Sequence, residues 1–294
     1  MKKFKGTGVA IVTPFKNDLS LDFAALGRVV KHVIDGGVNY IVAMGTTGES
    51  VTLTKDEKKA IITYVAEAID GRVPLVVGIG GNNTQEVINS IRQTKLNGVD
   101  GILSVAPYYN KPTQRGLFQH FKAIATCSPL PFIIYNVPAR TSCNITAETC
   151  LELAHECDNI VGVKEASGDM SQIMKIIKGK PENFSVISGD DMLTIPIIAA
   201  GGTGLISVLA NAFPAQCSEI VNNAIKNNFK LARETQFRFL EIIELLFVEG
   251  NPAGVKAMMN TMDICNNTLR LPLVPVSRST YSRIQKAMEE VSRK

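Results

Sequence analysis

At 294 residues, 45% hydrophobic and 20% charged, the chain can bury one large core, alone or with a small appendage, and is too apolar to be disordered. Its formal net charge of +4 comes from Lys and Arg spread along the sequence, with no Trp. Without clustered basic residues or stacking platforms, no nucleic-acid partner is expected.

The start, Met1-Lys2-Lys3-Phe4-Lys5-Gly6, is basic but lacks the apolar segment of a signal peptide. The most apolar long stretch, 195–210, holds Pro196 and three glycines and is too short to span a bilayer. A cytoplasmic protein with no membrane partner is expected.

From residue 8 onward, short apolar runs alternate with longer amphipathic ones. The runs predict strands over 9–12, 40–44, 75–79, 101–106, 132–137, 160–165, 185–188 and 204–208. The amphipathic stretches predict helices over 23–35, 55–69, 84–96, 114–126, 147–156, 170–177 and 193–200. Asp22, Thr54 with Glu57, Thr84 and Thr146 supply caps or first turns. Eight such units fit a (β/α)8 TIM barrel of the α/β class. A doubly wound sheet is the competing architecture, but its glycine-rich nucleotide loop is missing after the first strand. Beyond residue 224 only helical patterns follow, over 229–249, 254–262 and 278–294. The expected organisation is a catalytic barrel over 1–224 and a small all-helical C-terminal domain over 225–294.

Six cysteines, Cys127, Cys143, Cys150, Cys157, Cys217 and Cys265, contain no Cys-x-x-Cys pair, so neither a zinc site nor a redox dithiol is suggested. His32, His120 and His155 are isolated. Asp190 and Asp191 stand together, and capping of the following helix is the better reading than a metal pair. No metal is expected.

The chemistry gathers at the strand ends. The run 160–165 places Lys164 at the carboxyl end of an apolar strand, with Val161, Val163 and Glu165 on one face and Gly162 and Lys164 on the other. Gly162 would leave space for the lysine. Burial penalises the charged form of an amine, and a neutral lysine can form a Schiff base with a carbonyl substrate. Tyr135 ends the preceding strand, so a phenol stands beside the amine as a proton shuttle. Arg140, two residues after Pro138, can grip a carboxylate. Gly45-Thr46-Thr47-Gly48-Glu49-Ser50 offers backbone amides and hydroxyls to a carboxylate or small phosphate. Tyr108 and Tyr109, fixed between prolines, point different ways, one to a site and one to an interface.

Three stretches, Gly45-Thr46-Thr47-Gly48-Glu49-Ser50, Tyr135-Asn136-Val137-Pro138-x-Arg140-Thr141 and Val161-Gly162-Val163-Lys164-Glu165, resemble the pyruvate-dependent class I lyase family that includes N-acetylneuraminate lyase. The resemblance runs from about residue 6 to the C-terminus. It implies that Lys164 forms an imine with pyruvate, that Tyr135, Thr46 and Tyr109 relay protons, and that Tyr109 comes from a neighbouring subunit. Thr47 would bind the pyruvate carboxylate, with Gly189 and Ile206 lining the pocket. Arg140 would bind the carboxylate of L-aspartate 4-semialdehyde, giving a heterocycle at the head of the diaminopimelate–lysine branch. No cofactor is needed, and a homotetramer built as a dimer of dimers is implied.

Ser50, Asn82, Glu86 and Tyr108 match positions that bind lysine in feedback-inhibited members. Lys55 and Lys58 stand where those members carry histidine. Added cations should weaken binding of a cationic ligand, so weak or absent inhibition is expected. Two other readings stand beside this one: an aldolase with a sugar-type acceptor, against which Arg140 argues, and a non-catalytic keto-acid-binding barrel, against which the proton relay argues.

Overall fold

Each β-branched run is long enough for one short strand, and each amphipathic stretch between two runs supplies the helix that returns the chain to the same end. The computed structural model describes residues 4–292; Met1–Lys3 and the last two residues of the helix expected over 278–294 lie outside the described residues. In chain order the elements are β1 (Gly6–Ala10), α1 (Phe23–Asp35), β2 (Tyr40–Ala43), α2 (Lys55–Ile69), β3 (Leu75–Gly78), α3 (Thr84–Gln93), β4 (Gly101–Val105), α4 (Gln114–Cys127), β5 (Phe132–Asn136), α5 (Pro138–Thr141) and α6 (Ala147–Glu156). They continue as β6 (Ile160–Glu165), α7 (Met170–Gly179), β7 (Ser185–Ser188), α8 (Thr194–Ala199), β8 (Gly204–Ser207) and α9 (Pro214–Ile225). Last come α10 (Phe229–Arg238), α11 (Leu240–Leu245), α12 (Ala253–Thr261) and α13 (Arg278–Ser292).

All neighbouring strands are parallel, and β8 returns to β1 in register from Gly6↔Gly204 to Val9↔Ser207, closing an eight-stranded barrel. A doubly wound sheet would leave two edges; here there are none. The seam needs glycine, because a Cβ on Gly204 would stand 2.1 Å from the Gly6 carbonyl oxygen. Side chains divide by alternation into two layers. Tyr40, Val42, Val76, Leu103, Ile133, Tyr135, Ile187 and Ile206 fill the interior, with Phe4 packed against them. Val9, Ile41, Val77, Ile102, Ile134 and Val186 face the helices in a larger cluster.

Alternation fails at one place. Phe132 pairs with Ile160 while Ile133 pairs with Gly162, so Val161 is the extra residue of a bulge. Val161 therefore joins the interior cluster and parts from Val163, with which it was expected to share a face.

The helix starts follow the cap chemistry. Thr54 and Glu57 form a reciprocal capping box, and Asp22 and Thr146 accept backbone N–H groups of α1 and α6. On α3 the cap is Asn83, with Thr84 the first helical residue. Sequence patterns miss α5 and α9, which both begin with proline and have no side-chain cap. The single helix expected over 229–249 divides at Phe239, where the backbone leaves helical geometry and the ring is buried edge-on to Phe213, centroids 5.0 Å apart. The expected boundary after 224 falls in the last turn of α9, and Phe239, Ile242, Val255 and Met258 share one buried cluster with the layer around the barrel. No helix among the described residues is long and apolar enough to cross a membrane.

Candidate active site

Tyr135 on β5 pairs with Lys164 on β6, and both side chains enter the interior at the carboxyl end of the barrel. Lys164 is 6% exposed, and its Nζ lies 4.2 Å from the centroid of the Tyr135 ring, in cation–π contact. Space for the lysine comes from Gly189, not from Gly162. A Cβ on Gly189 would stand 3.0 Å from Lys164 Cε and 2.8 Å from Ala166 Cβ, whereas one on Gly162 would meet the Ser185 carbonyl oxygen at 2.7 Å. Gly189 follows β7, and its N–H donates to the Glu165 carbonyl at 2.8 Å. Ile206, on β8, is fully buried in the same interior cluster.

The neighbouring side chains on β5 and β6 point the other way and lock the strand ends together. Both oxygens of the buried Glu165 carboxylate accept from Asn136 Nδ2 at 3.2 and 3.1 Å, and one also accepts from Gln172 Nε2 at 3.1 Å. Ser167 N–H donates to the other at 2.7 Å, and Asn144 links Asn136 to Gln172. Burial raises the Glu165 pKa, and these bonds oppose the rise. Because Tyr135 and Lys164 alternate with Asn136 and Glu165, this network fixes the pair from behind.

The stretch after β2 is a tight turn, with Gly48 N–H donating to the Gly45 carbonyl and Glu49 N–H to that of Thr46, each at 3.1 Å. Glu49 adopts a left-handed φ of 51°. Thr46 is half-buried and Thr47 buried. Three residues from the far end of the sequence hold this turn. Asn251 Nδ2 donates to Thr47 Oγ1 at 3.0 Å, Lys256 Nζ pairs with Glu49 Oε1, and Arg270 N–H donates to Glu49 Oε2 at 3.2 Å. Lys256 is fully buried, donates to the Thr268 carbonyl at 2.8 Å and lies 4.3 Å from the Phe15 ring centroid. Burial lowers the Lys256 pKa, while the Glu49 carboxylate opposes that. Sequence reading missed all three residues. The one available signal was a lysine inside the apolar run Gly254-Val255-Lys256-Ala257-Met258-Met259.

Other expected residues lie further out. Arg140 sits on α5 and is exposed, and among the described residues its guanidinium forms no ion pair. Cys143 is buried, its Sγ 3.9 Å from the Pro112 carbonyl, so its contact there is packing. Tyr109 has a left-handed φ of 74° and is 88% exposed, so it does not join the buried cluster. Tyr108 is tied down through its carbonyl, which accepts from Asn82 Nδ2 at 3.1 Å. Ser50 opens a short 3-10 turn, Lys55 and Glu86 are exposed on the first turns of α2 and α3, and Lys58 is half-buried, which lowers its pKa.

Asp191 does not cap the helix after it. Its carboxylate is buried and accepts from the Ser207 hydroxyl, from Val208 N–H at 2.9 Å and from Leu209 N–H at 3.3 Å, so it caps the turn beyond β8. Asp190 accepts from Met192 N–H at 2.8 Å. Among the described residues no group of three or more His, Cys, Asp or Glu is placed to hold a metal ion.

The family described as the Dihydrodipicolinate synthetase family matches residues 3–291. The 4-hydroxy-tetrahydrodipicolinate synthase of Parabacteroides distasonis is 49% identical over 98% of this chain and 97% of its own length. The dihydrodipicolinate synthase structure from Thermotoga maritima aligns with a TM-score of 0.96 at 40% identity, over 99% of each chain. The chloride-inhibited dihydrodipicolinate synthase from Acinetobacter baumannii, solved with pyruvate, aligns with a TM-score of 0.95 at 38% identity, over 98% of this chain and 99% of that one.

Proposed function

Because the chain belongs to the dihydrodipicolinate synthetase family, we propose that it condenses pyruvate with L-aspartate 4-semialdehyde through a Schiff base on Lys164. The observation that carries this reading is a buried lysine amine against the Tyr135 ring at the carboxyl end of a closed barrel. The amine attacks the keto carbon of pyruvate and water leaves, giving the imine. Tyr135, whose ring lies against the amine, passes protons as the carbinolamine collapses and the imine becomes an enamine. The enamine carbon bonds to the aldehyde carbon, and ring closure by the semialdehyde's amine frees Lys164 and releases 4-hydroxy-tetrahydrodipicolinate. Thr47 and the amides of its turn hold the pyruvate carboxylate, Gly189 and Ile206 shape the pocket, and Arg140 receives the carboxylate of the second substrate. On this reading the protein works in the cytoplasm, in diaminopimelate and lysine biosynthesis.

Borohydride reduction in the presence of pyruvate tests the first half. The expected result is a stable mass addition on the peptide carrying Lys164. A coupled reductase assay with both substrates tests the second half. Trapping without turnover would move the acceptor to a sugar-type aldehyde, and no trapping would sink the reading.

Tyr109, exposed on one chain, completes the relay with Thr46 by crossing to a second copy, and two such pairs build the tetramer. Tyr109→Phe is expected to lower kcat by about 10²-fold while pyruvate remains trappable, the range for loss of one proton-transfer group. Wild-type turnover would remove Tyr109 from the relay. Ser50, Asn82, Glu86 and Tyr108, with Lys55 and Lys58 close in sequence to Ser50, are expected to respond weakly to free lysine. An initial-rate titration with lysine checks this, and strong inhibition at submillimolar concentration would refute it.

A further inference from the structure

We propose that Asn251 is a positioning residue for the substrate carboxylate: its amide N–H holds the Thr47 hydroxyl so that the hydroxyl's one proton is free for the bound 2-oxo acid. This rests on the reading of Thr47 as the group that receives that carboxylate. Asn251 lies between α11 and α12, 204 residues from Thr47, and both side chains are buried. An amide nitrogen can only donate, and a hydroxyl has one proton and two acceptor lone pairs. With Nδ2 at 3.0 Å, Thr47 Oγ1 must accept from Asn251, so its own proton points elsewhere.

Two observations favour a positioning role over simple packing. The Nδ2–Thr47 bond is the Asn251 side chain's one hydrogen bond among the described residues, and Asn251 Oδ1 has no partner within the protein. A leucine of similar volume would fill the space without burying an acceptor. The same turn is independently fastened by Lys256 and Arg270 at Glu49 and by Thr13 at the Gly48 carbonyl, so holding the backbone does not require Asn251. What Asn251 adds is the direction of one hydroxyl. An N–H donating into an O–H that donates onward also polarises it, which strengthens the bond to an anion.

The inference is read from the pyruvate concentration that half-saturates borohydride trapping, alongside pyruvate KM and kcat. Asn251→Ala should raise half-saturation and KM about tenfold, with kcat at saturating pyruvate within about threefold of wild type. Asn251→Asp should be worse, about a hundredfold, because a carboxylate accepts the Thr47 proton and adds a like charge near the substrate's. Thr47→Val should resemble Asn251→Ala, and adding Asn251→Ala to Thr47→Val should cost little more. Asp is nearly isosteric with Asn, so it keeps the test open if the alanine variant does not fold. Unchanged half-saturation in both variants, an Asp variant no worse than the Ala variant, or full additivity of Asn251→Ala with Thr47→Val would each overturn the inference. Wild-type protein that cannot be trapped at all would instead overturn the Schiff-base reading on which it stands.

Discussion

Replacing Lys164 by alanine is expected to lower turnover at least about a thousandfold and to abolish borohydride trapping, while the barrel stays folded. The chemical half of this follows from the absence of a substitute: the amine beside Tyr135 is the electron sink of the proposed reaction. The structural half follows from its contacts. Lys164 Nζ has the Tyr135 ring beneath it and no ion pair among the described residues, so its removal strands no buried counter-charge. Lys164→Arg should be equally inactive, because a guanidinium keeps the charge and is not a nucleophile at neutral pH. Initial rates in the coupled assay, peptide mass after trapping, and thermal unfolding check the three parts together. A Lys164→Ala protein with a tenth of wild-type activity would end the proposal.

The second large effect is on stability. Lys256→Met is expected to destabilise the fold by about 3–5 kcal/mol, because it leaves the Glu49 carboxylate buried without its partner. Both side chains are fully buried, and the ammonium's other contacts, the Thr268 carbonyl and the Phe15 ring, cannot satisfy the carboxylate. For a chain of this size that corresponds to a fall in melting temperature of roughly 10 °C. Lys256→Met combined with Glu49→Leu should recover much of the loss, since a buried ion pair replaced by packed apolar groups is often near neutral. Thermal unfolding of the two single variants and the double variant measures the coupling. A double-variant loss equal to the sum of the two single-variant losses would mean that the pair contributes nothing of its own. Because Glu49 lies two residues from Thr47, the single variant should also bind pyruvate more weakly.

The barrel was legible in the sequence because its signals are local. Ile160–Glu165 and Ser185–Ser188 are runs whose composition dictates a strand, and Lys55–Ile69 carries its own capping box. What escaped was set by partners distant in sequence. The first strand begins at Gly6, earlier than its apolar residues suggest, since Gly8 is there to admit the Tyr40 ring: a Cβ would stand 2.3 Å from it. The bulge at Val161 and the role of Gly189 depend on β5 and β7, which no window around Lys164 contains. The candidate site was legible in the same measure. Lys164 and Tyr135 show themselves as strand-end residues on consecutive strands, whereas Asn251 and Lys256 become partners of Thr47 and Glu49 only once the chain has folded.

That long-range fastening has a consequence for synthesis. The turn bearing Thr46 and Thr47 is translated well before its fasteners: Asn251, Lys256 and Arg270 leave the ribosome more than 200 residues later. A nascent chain can pair its early strands as they emerge. That turn cannot reach its final geometry until more than 200 further residues have been made, so premature termination before Asn251 yields a fragment without that fastening.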